Sequence, residues 1–113
     1  MRRVLAVTLV IIPLTLVAQN AQPVFALKSV GPNVWAAIDA FGGGSNAGFI
    51  VSDDGVAVAD TLSYADAARQ FLAAIRMQTT RPIRYVVDTH YHVDHVAGNG
   101  VFKFNGASFD RIH

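Results

Sequence analysis

The sequence predicts a mixed α/β domain in which strands and helices are joined by both hairpin and crossover connections. Three observations carry this reading. Short runs rich in β-branched and aromatic residues, such as "NVWAAIDA" and "IRYVVDTH", are bounded by Gly, Asp and Asn. Ala68, Phe71, Leu72 and Ile75 recur at helical spacing between such runs, with Arg69, Gln70 and Arg76 elsewhere on the helix. The strand at 83–90 then runs directly into "DTHYHVDHVAGN", which holds three of the four histidines of the chain.

The first residues, "MRRVLAVTLVIIPLTLVAQNAQP", do not belong to that domain. Arg2 and Arg3 precede an apolar run from Val4 to Ala18, and small and polar residues lead on to Pro23. This is the order of a secretory signal peptide, expected over residues 1–23, with cleavage between Ala18 and Ala26. The run is shorter than the roughly 20 apolar residues that span a bilayer, and Pro13 interrupts it. No stable membrane anchor is therefore expected after cleavage, and the expected location is secreted, in the bacterial periplasm. With no cysteine in the chain, neither a disulfide nor a cysteine-linked lipid can contribute.

Without Arg2 and Arg3, seven basic residues face eight acidic ones. Such a near-neutral surface has no basic stripe for a phosphate backbone, so a nucleic-acid partner is not expected. Residues 24–113 form the expected domain, at about 90 residues a marginal size for a core without disulfides or metal.

Along that domain the first strand is expected at 33–40. "FGGGSN" reads as a plain loop, since no lysine or helix start follows to make it a phosphate cradle. "AGFIVS" and "VAVAD" flank Asp53-Asp54-Gly55, a hairpin signal. Ser63 followed by Asp66 resembles a capping box for the helix, which Thr79, Thr80 and Pro82 end. A short helical stretch is expected from Asp94 to Phe104, and "ASFDRIH" opens one more strand. The resulting order is β, β, β, α, β, loop, α, β. Trp35, Phe41 and Phe49 have two readings, groove lining or packing. Gly98 and Gly100 are read as permitting close helix packing, and Tyr91 and Val93 as packing or facing outward.

The chemistry gathers at 88–99. His90 and His92 are two apart at a strand end, so extended backbone sends both rings to one side. Asp94 and His95 follow where the chain turns into a helix. Three imidazoles and a carboxylate form a first-row metal ligand set, for which zinc is the default without thiolates. Two ions account for it better than one: His90 and His92 share the first, while Asp94 and His95 reach a second about 3.5–4 Å away. Hydroxide held there, at a pKa of about 7, would attack a polarised carbonyl, with Asp94 as the catalytic residue orienting it. Asp88, two before His90, is either a partner for that ring's second nitrogen or an ordinary polar strand end.

"HYHVDH" fits H-x-H-x-D-H, and with "DTH", "AGN" and "SNAGFIVSDDGVAVADT" the chain resembles the N-terminal half of the metallo-β-lactamase superfamily. The resemblance implies an αββα sandwich, of which this would be a partial, first half, with two zinc ions at the edge between two sheets. It implies His90 and His92 on the first zinc and Asp94 and His95 on the second. It also places Asp60 where the family often has a structural aspartate beneath the metal loop, although a strand-end turn residue fits equally. Further ligands would come from downstream segments, and His113 receives no role.

The expected function is zinc-dependent hydrolysis of a small-molecule ester, thioester, lactone or β-lactam. His92, where a diiron relative would carry glutamate, favours zinc hydrolysis over redox chemistry. The alternative is a truncated, catalytically inactive remnant that binds metal weakly. On either reading these 113 residues alone are expected to be inactive, and their oligomeric state is open. An uncovered apolar sheet face would favour association.

Overall fold

The computed structural model describes residues 22–111. The leader expected over 1–23 thus falls almost wholly outside the described residues, as does His113. Nine elements follow in order: β1 (Phe25–Gly31), β2 (Val34–Asp39), β3 (Ala47–Val51), β4 (Val56–Ala59), α1 (Ala65–Gln78), β5 (Ile83–Asp88), α2 (Val93–Val96), α3 (Asn99–Phe104) and β6 (Ser108–Arg111). The six strands make one mixed sheet in the order β1-β2-β3-β4-β5-β6. β1 to β4 form an antiparallel meander, and β5 and β6 add in parallel. Among the described residues no helix is long and apolar enough to cross a membrane.

The chain makes its hairpin where Asp-Gly predicts one. Ser52 and Gly55 exchange backbone hydrogen bonds of 2.9 and 3.3 Å. Gly55, at φ 142°, has no room for a side chain, because a Cβ there would lie 2.7 Å from the Pro82 carbonyl oxygen. β1 lies outside the expected order. Among the described residues it is an edge strand paired only to β2, with Phe25 alone buried, so its alternation is weak.

α1 differs from expectation at its start. Its N-cap is Tyr64, with no side-chain cap, and Asp66 pairs with Arg69 rather than reaching back to Ser63. The left-handed backbone of Asp60 and Leu62 (φ 61° and 69°) turns the chain just before the helix and leaves Ser63 outside it. The buried face is Ala67, Ala68, Phe71 and Ile75, with Leu72 half-buried beside them. Phe71 is the hub of the core: its ring lies 5.7 Å from Phe25, 6.0 Å from Phe49 and 6.0 Å from Phe102. Trp35 stacks on Phe49 at 4.9 Å, so these two aromatics pack on each other while both also border a cavity on the sheet.

The stretch expected as one helix over 94–104 is two. Between them Gly98 meets the end of β4, and a Cβ there would sit 2.1 Å from the Thr61 carbonyl oxygen and 2.4 Å from the Ala68 Cβ. That contact brings the histidine segment against β4 and α1. Gly100 plays no such part, since a Cβ would meet nothing within 4 Å.

Candidate metal centre

The parallel pair β4–β5 places its two carboxyl ends side by side, and the histidine segment leaves from there. Ends of parallel strands are the usual place for a site in α/β sheets, because the connecting loops diverge and open a crevice. β5 stops at Asp88, and α2 begins at Val93 with His92 as its N-cap. This brings the three imidazoles together: the His90 ring lies 4.0 Å from His95 and 4.7 Å from His92. Tyr91 and Val93, between them, are exposed.

Asp60 organises two of the rings. Buried just past β4, its carboxylate accepts from the Thr89 N–H (2.8 Å), the Thr89 hydroxyl (2.7 Å) and His95 Nδ1 (2.8 Å). A carboxylate accepts, so in the neutral His95 ring the proton sits on Nδ1 and Nε2 keeps its lone pair. Thr89 has spent its only hydroxyl hydrogen on Asp60. Its oxygen therefore accepts from His90 Nδ1 at 3.0 Å, and His90 likewise presents Nε2. One buried carboxylate sets the tautomer of two histidines.

His95 Nε2 lies 3.5 Å from Asp94 Oδ2, with the two side chains 20% and 45% exposed. Two donors on one tetrahedral zinc stand about 3.4 Å apart, given bonds of roughly 2.0–2.1 Å. The donor types and this spacing fit a zinc ion. The remaining donors are not drawn in: among the described residues no three His, Asp or Glu side chains converge on one point. His92 is exposed, and among the described residues no hydrogen bond fixes its ring. The donor set is gathered and half oriented.

Asp88 does not support His90. The strand ends at Asp88, so the same-side relation of residues two apart fails beyond it. Asp88 Oδ2 instead accepts from Asn99 Nδ2 at 2.9 Å, while Oδ1 is buried without a partner. The partner of the His90 ring is Thr89, which no periodicity marks.

The glycine loop is more than a connector. Asp39 Oδ2 accepts from the N–H groups of Gly43 (2.8 Å) and Gly44 (3.1 Å). These bonds, Gly44 first and then Gly43, hold the Asp39 carboxyl below its ordinary pKa. The loop so folded carries Ser45 onto the Asp94 carbonyl. It also lines a cavity of about 250 Å³ with Phe41, Leu62, Tyr64 and Ala67, so Phe41 alone of the three candidate aromatics faces a groove of this loop.

A strand-end cluster of imidazoles beside a buried aspartate, on a mixed sheet, is a candidate metal centre. The family model of the metallo-beta-lactamase superfamily matches residues 40–107, and the chain belongs to that superfamily of hydrolases. It is 38% identical over 55 residues to a linear primary-alkylsulfatase of Pseudomonas sp. (strain ATCC 19151), covering 49% of this chain and 10% of that protein. It is also similar to the solved structure of a double mutant of the sec-alkyl sulfatase PisA1. There the TM-score is 0.62 and the identity 26%, covering 75% of this chain and 14% of that one. The chain thus spans a small fraction of the length of either relative.

Proposed function

We propose that this chain contributes the first set of metal ligands to an exported, zinc-dependent hydrolase that cleaves alkyl sulfate esters. The observation that carries the proposal is the gathering of His90, His92 and His95 at the end of β5, with Nε2 of His90 and His95 freed through Asp60. His90 and His92 would hold one ion, and Asp94 and His95 a second. When bound, zinc supplies Lewis acidity toward the ester and brings the pKa of water down to about 7.

The protein's own groups do the rest. Asp94 is the catalytic carboxylate: half-exposed beside the rings, it accepts a hydrogen bond from the attacking water and so orients it. Asp60 holds His90 and His95 in the tautomer that leaves Nε2 open, and Asp88 acts on the loop through Asn99. The leader-like residues 1–23 support export to the periplasm, and the near-neutral surface supports a small-molecule partner rather than nucleic acid. The alkylsulfatase likeness moves the substrate from the carbonyl compounds expected of the motif to a sulfate ester.

Two measurements test this. Elemental analysis of the purified chain should find zinc, lost in H90A and H95A. A protein that contains this chain should release sulfate from dodecyl sulfate, and chelation or D94N should stop it. Hydrolysis of thioesters or lactones without sulfate release would reverse the substrate assignment. A chain that holds no zinc, or holds it equally well without His95, would sink the metal reading.

A further inference from the structure

We infer that Ser45 and Thr61 are positioning residues that aim the Asp94–His95 pair by gripping its main chain. The inference rests on the metal-binding reading above. Two adjacent carbonyls, those of Asp94 and His95, are each taken by a donor from a different loop. The Ser45 hydroxyl, at the end of the glycine loop, donates to the Asp94 oxygen. The Thr61 N–H, just past β4, donates to the His95 oxygen at 2.8 Å. Both residues are buried, Thr61 completely.

The Thr61 side chain then anchors that grip. Its hydroxyl lies 2.8 Å from Asn99 Oδ1 and 3.2 Å from the His95 oxygen. It has one hydrogen, and the shorter contact takes it. The Asn99 orientation follows, because only its Nδ2 can donate to the Asp88 carboxylate, 2.9 Å away, which leaves Oδ1 toward Thr61. Thr61, Asn99 and Asp88 thus tie the ends of β4 and β5 to the start of α3.

The consequence is geometric. A peptide unit is planar, so a hydrogen bond on its carbonyl restrains the whole plane. Ser45 restrains the plane between Asp94 and His95, and Thr61 the plane between His95 and Val96. Two restrained planes set φ and ψ of His95 and hence the direction of its Cα–Cβ bond. Asp60 then has only the ring rotation left to fix. The glycine loop and the β4 end, both distant in sequence from His95, therefore set the direction in which His95 leaves the chain beside Asp94.

The test is cobalt(II) binding by the purified chain, followed by the visible ligand-field bands, with melting of the metal-free chain alongside. S45A and T61V should each weaken cobalt(II) affinity about 10- to 100-fold, the usual effect of losing a support of a ligand, and change the band shape. S45T and T61S should restore both. Ile75→Val, in the core away from the loop, should lower the melting temperature and leave cobalt(II) affinity unchanged, which separates positioning from general stability. If T61V does not fold, S45A decides the matter alone. Folded S45A with parental affinity and spectrum would overturn the inference while the metal reading stands, and folded T61V with both unchanged would show that the Thr61 hydroxyl does not anchor the grip of its N–H. A parent chain that takes up no cobalt(II) overturns both.

Discussion

At the scale of single residues, the centre depends on groups that bring no donor of their own. Asp60 is buried, left-handed and shared by Thr89 and His95. Asn tolerates that backbone, so D60N should fold. Its amide offers one acceptor oxygen in place of two, leaving either Thr89 or His95 facing an N–H₂. D60N should bind zinc about 10- to 100-fold more weakly, measured by competition with a chelating dye, and parental affinity would show that Asp60 is only a turn residue. Asp39 makes a prediction in pH. A carboxyl whose folded pKa is depressed stabilises the fold fully above its unfolded value, and that contribution is lost as pH falls through the folded one. The Gly43 and Gly44 amide resonances should therefore stay fixed down to about pH 4 and shift below it. D39N should abolish the titration, and a midpoint above the ordinary aspartate value would refute the assigned cause.

At the scale of elements, what was legible in the sequence is what periodicity or turn chemistry encodes. The hairpin at Asp53–Gly55, the apolar face of α1 and the strand entering the histidines needed only local pattern. What was not legible depends on distant contacts. β1 has one buried side chain and borrows its order from β2. The helix start shifts past Ser63 because Asp60 and Leu62 turn the chain. The break between α2 and α3 comes from Gly98 abutting Thr61, 37 positions upstream in a different element. In the same way the four histidine-segment candidates were visible as a motif, whereas Ser45, Thr61, Thr89 and Asn99 act through folds of the chain no spacing announces. Two substitutions probe this layer. Phe71→Ala removes the ring that contacts Phe25, Phe49 and Phe102, and should cost about 3–5 kcal/mol in urea unfolding. Gly98→Ala should cost about 1–3 kcal/mol and weaken metal binding, since the clash can be relieved only by moving the histidine segment. A stable Gly98→Ala with parental zinc affinity would deny that packing against β4 sets the centre.

At the scale of the whole molecule, the sheet is asymmetric. α1 and α3 and the four-phenylalanine core occupy one face. The other carries Val34, Gly48, Ile50, Ala57, Ala59 and Val87, a nearly uncharged surface that lines a second cavity of about 250 Å³. Ile50 is 47% exposed at its centre. Apolar patches of this kind on a soluble chain mark contact surfaces or association hazards. A superfamily domain with sheet packed on sheet would cover it, at a spacing of about 10 Å between layers. The purified chain, leaving that face to solvent, should associate in a concentration-dependent manner by sedimentation velocity. I50K puts a charge at the middle of the patch without touching α1 or the histidines. It should hold the chain monomeric and leave zinc affinity unchanged, because His90 to His95 are anchored from Asp60, Thr61 and Ser45 and none of those residues lines that face. If I50K instead disturbed zinc binding, the metal centre and the open face would be one coupled structure rather than two.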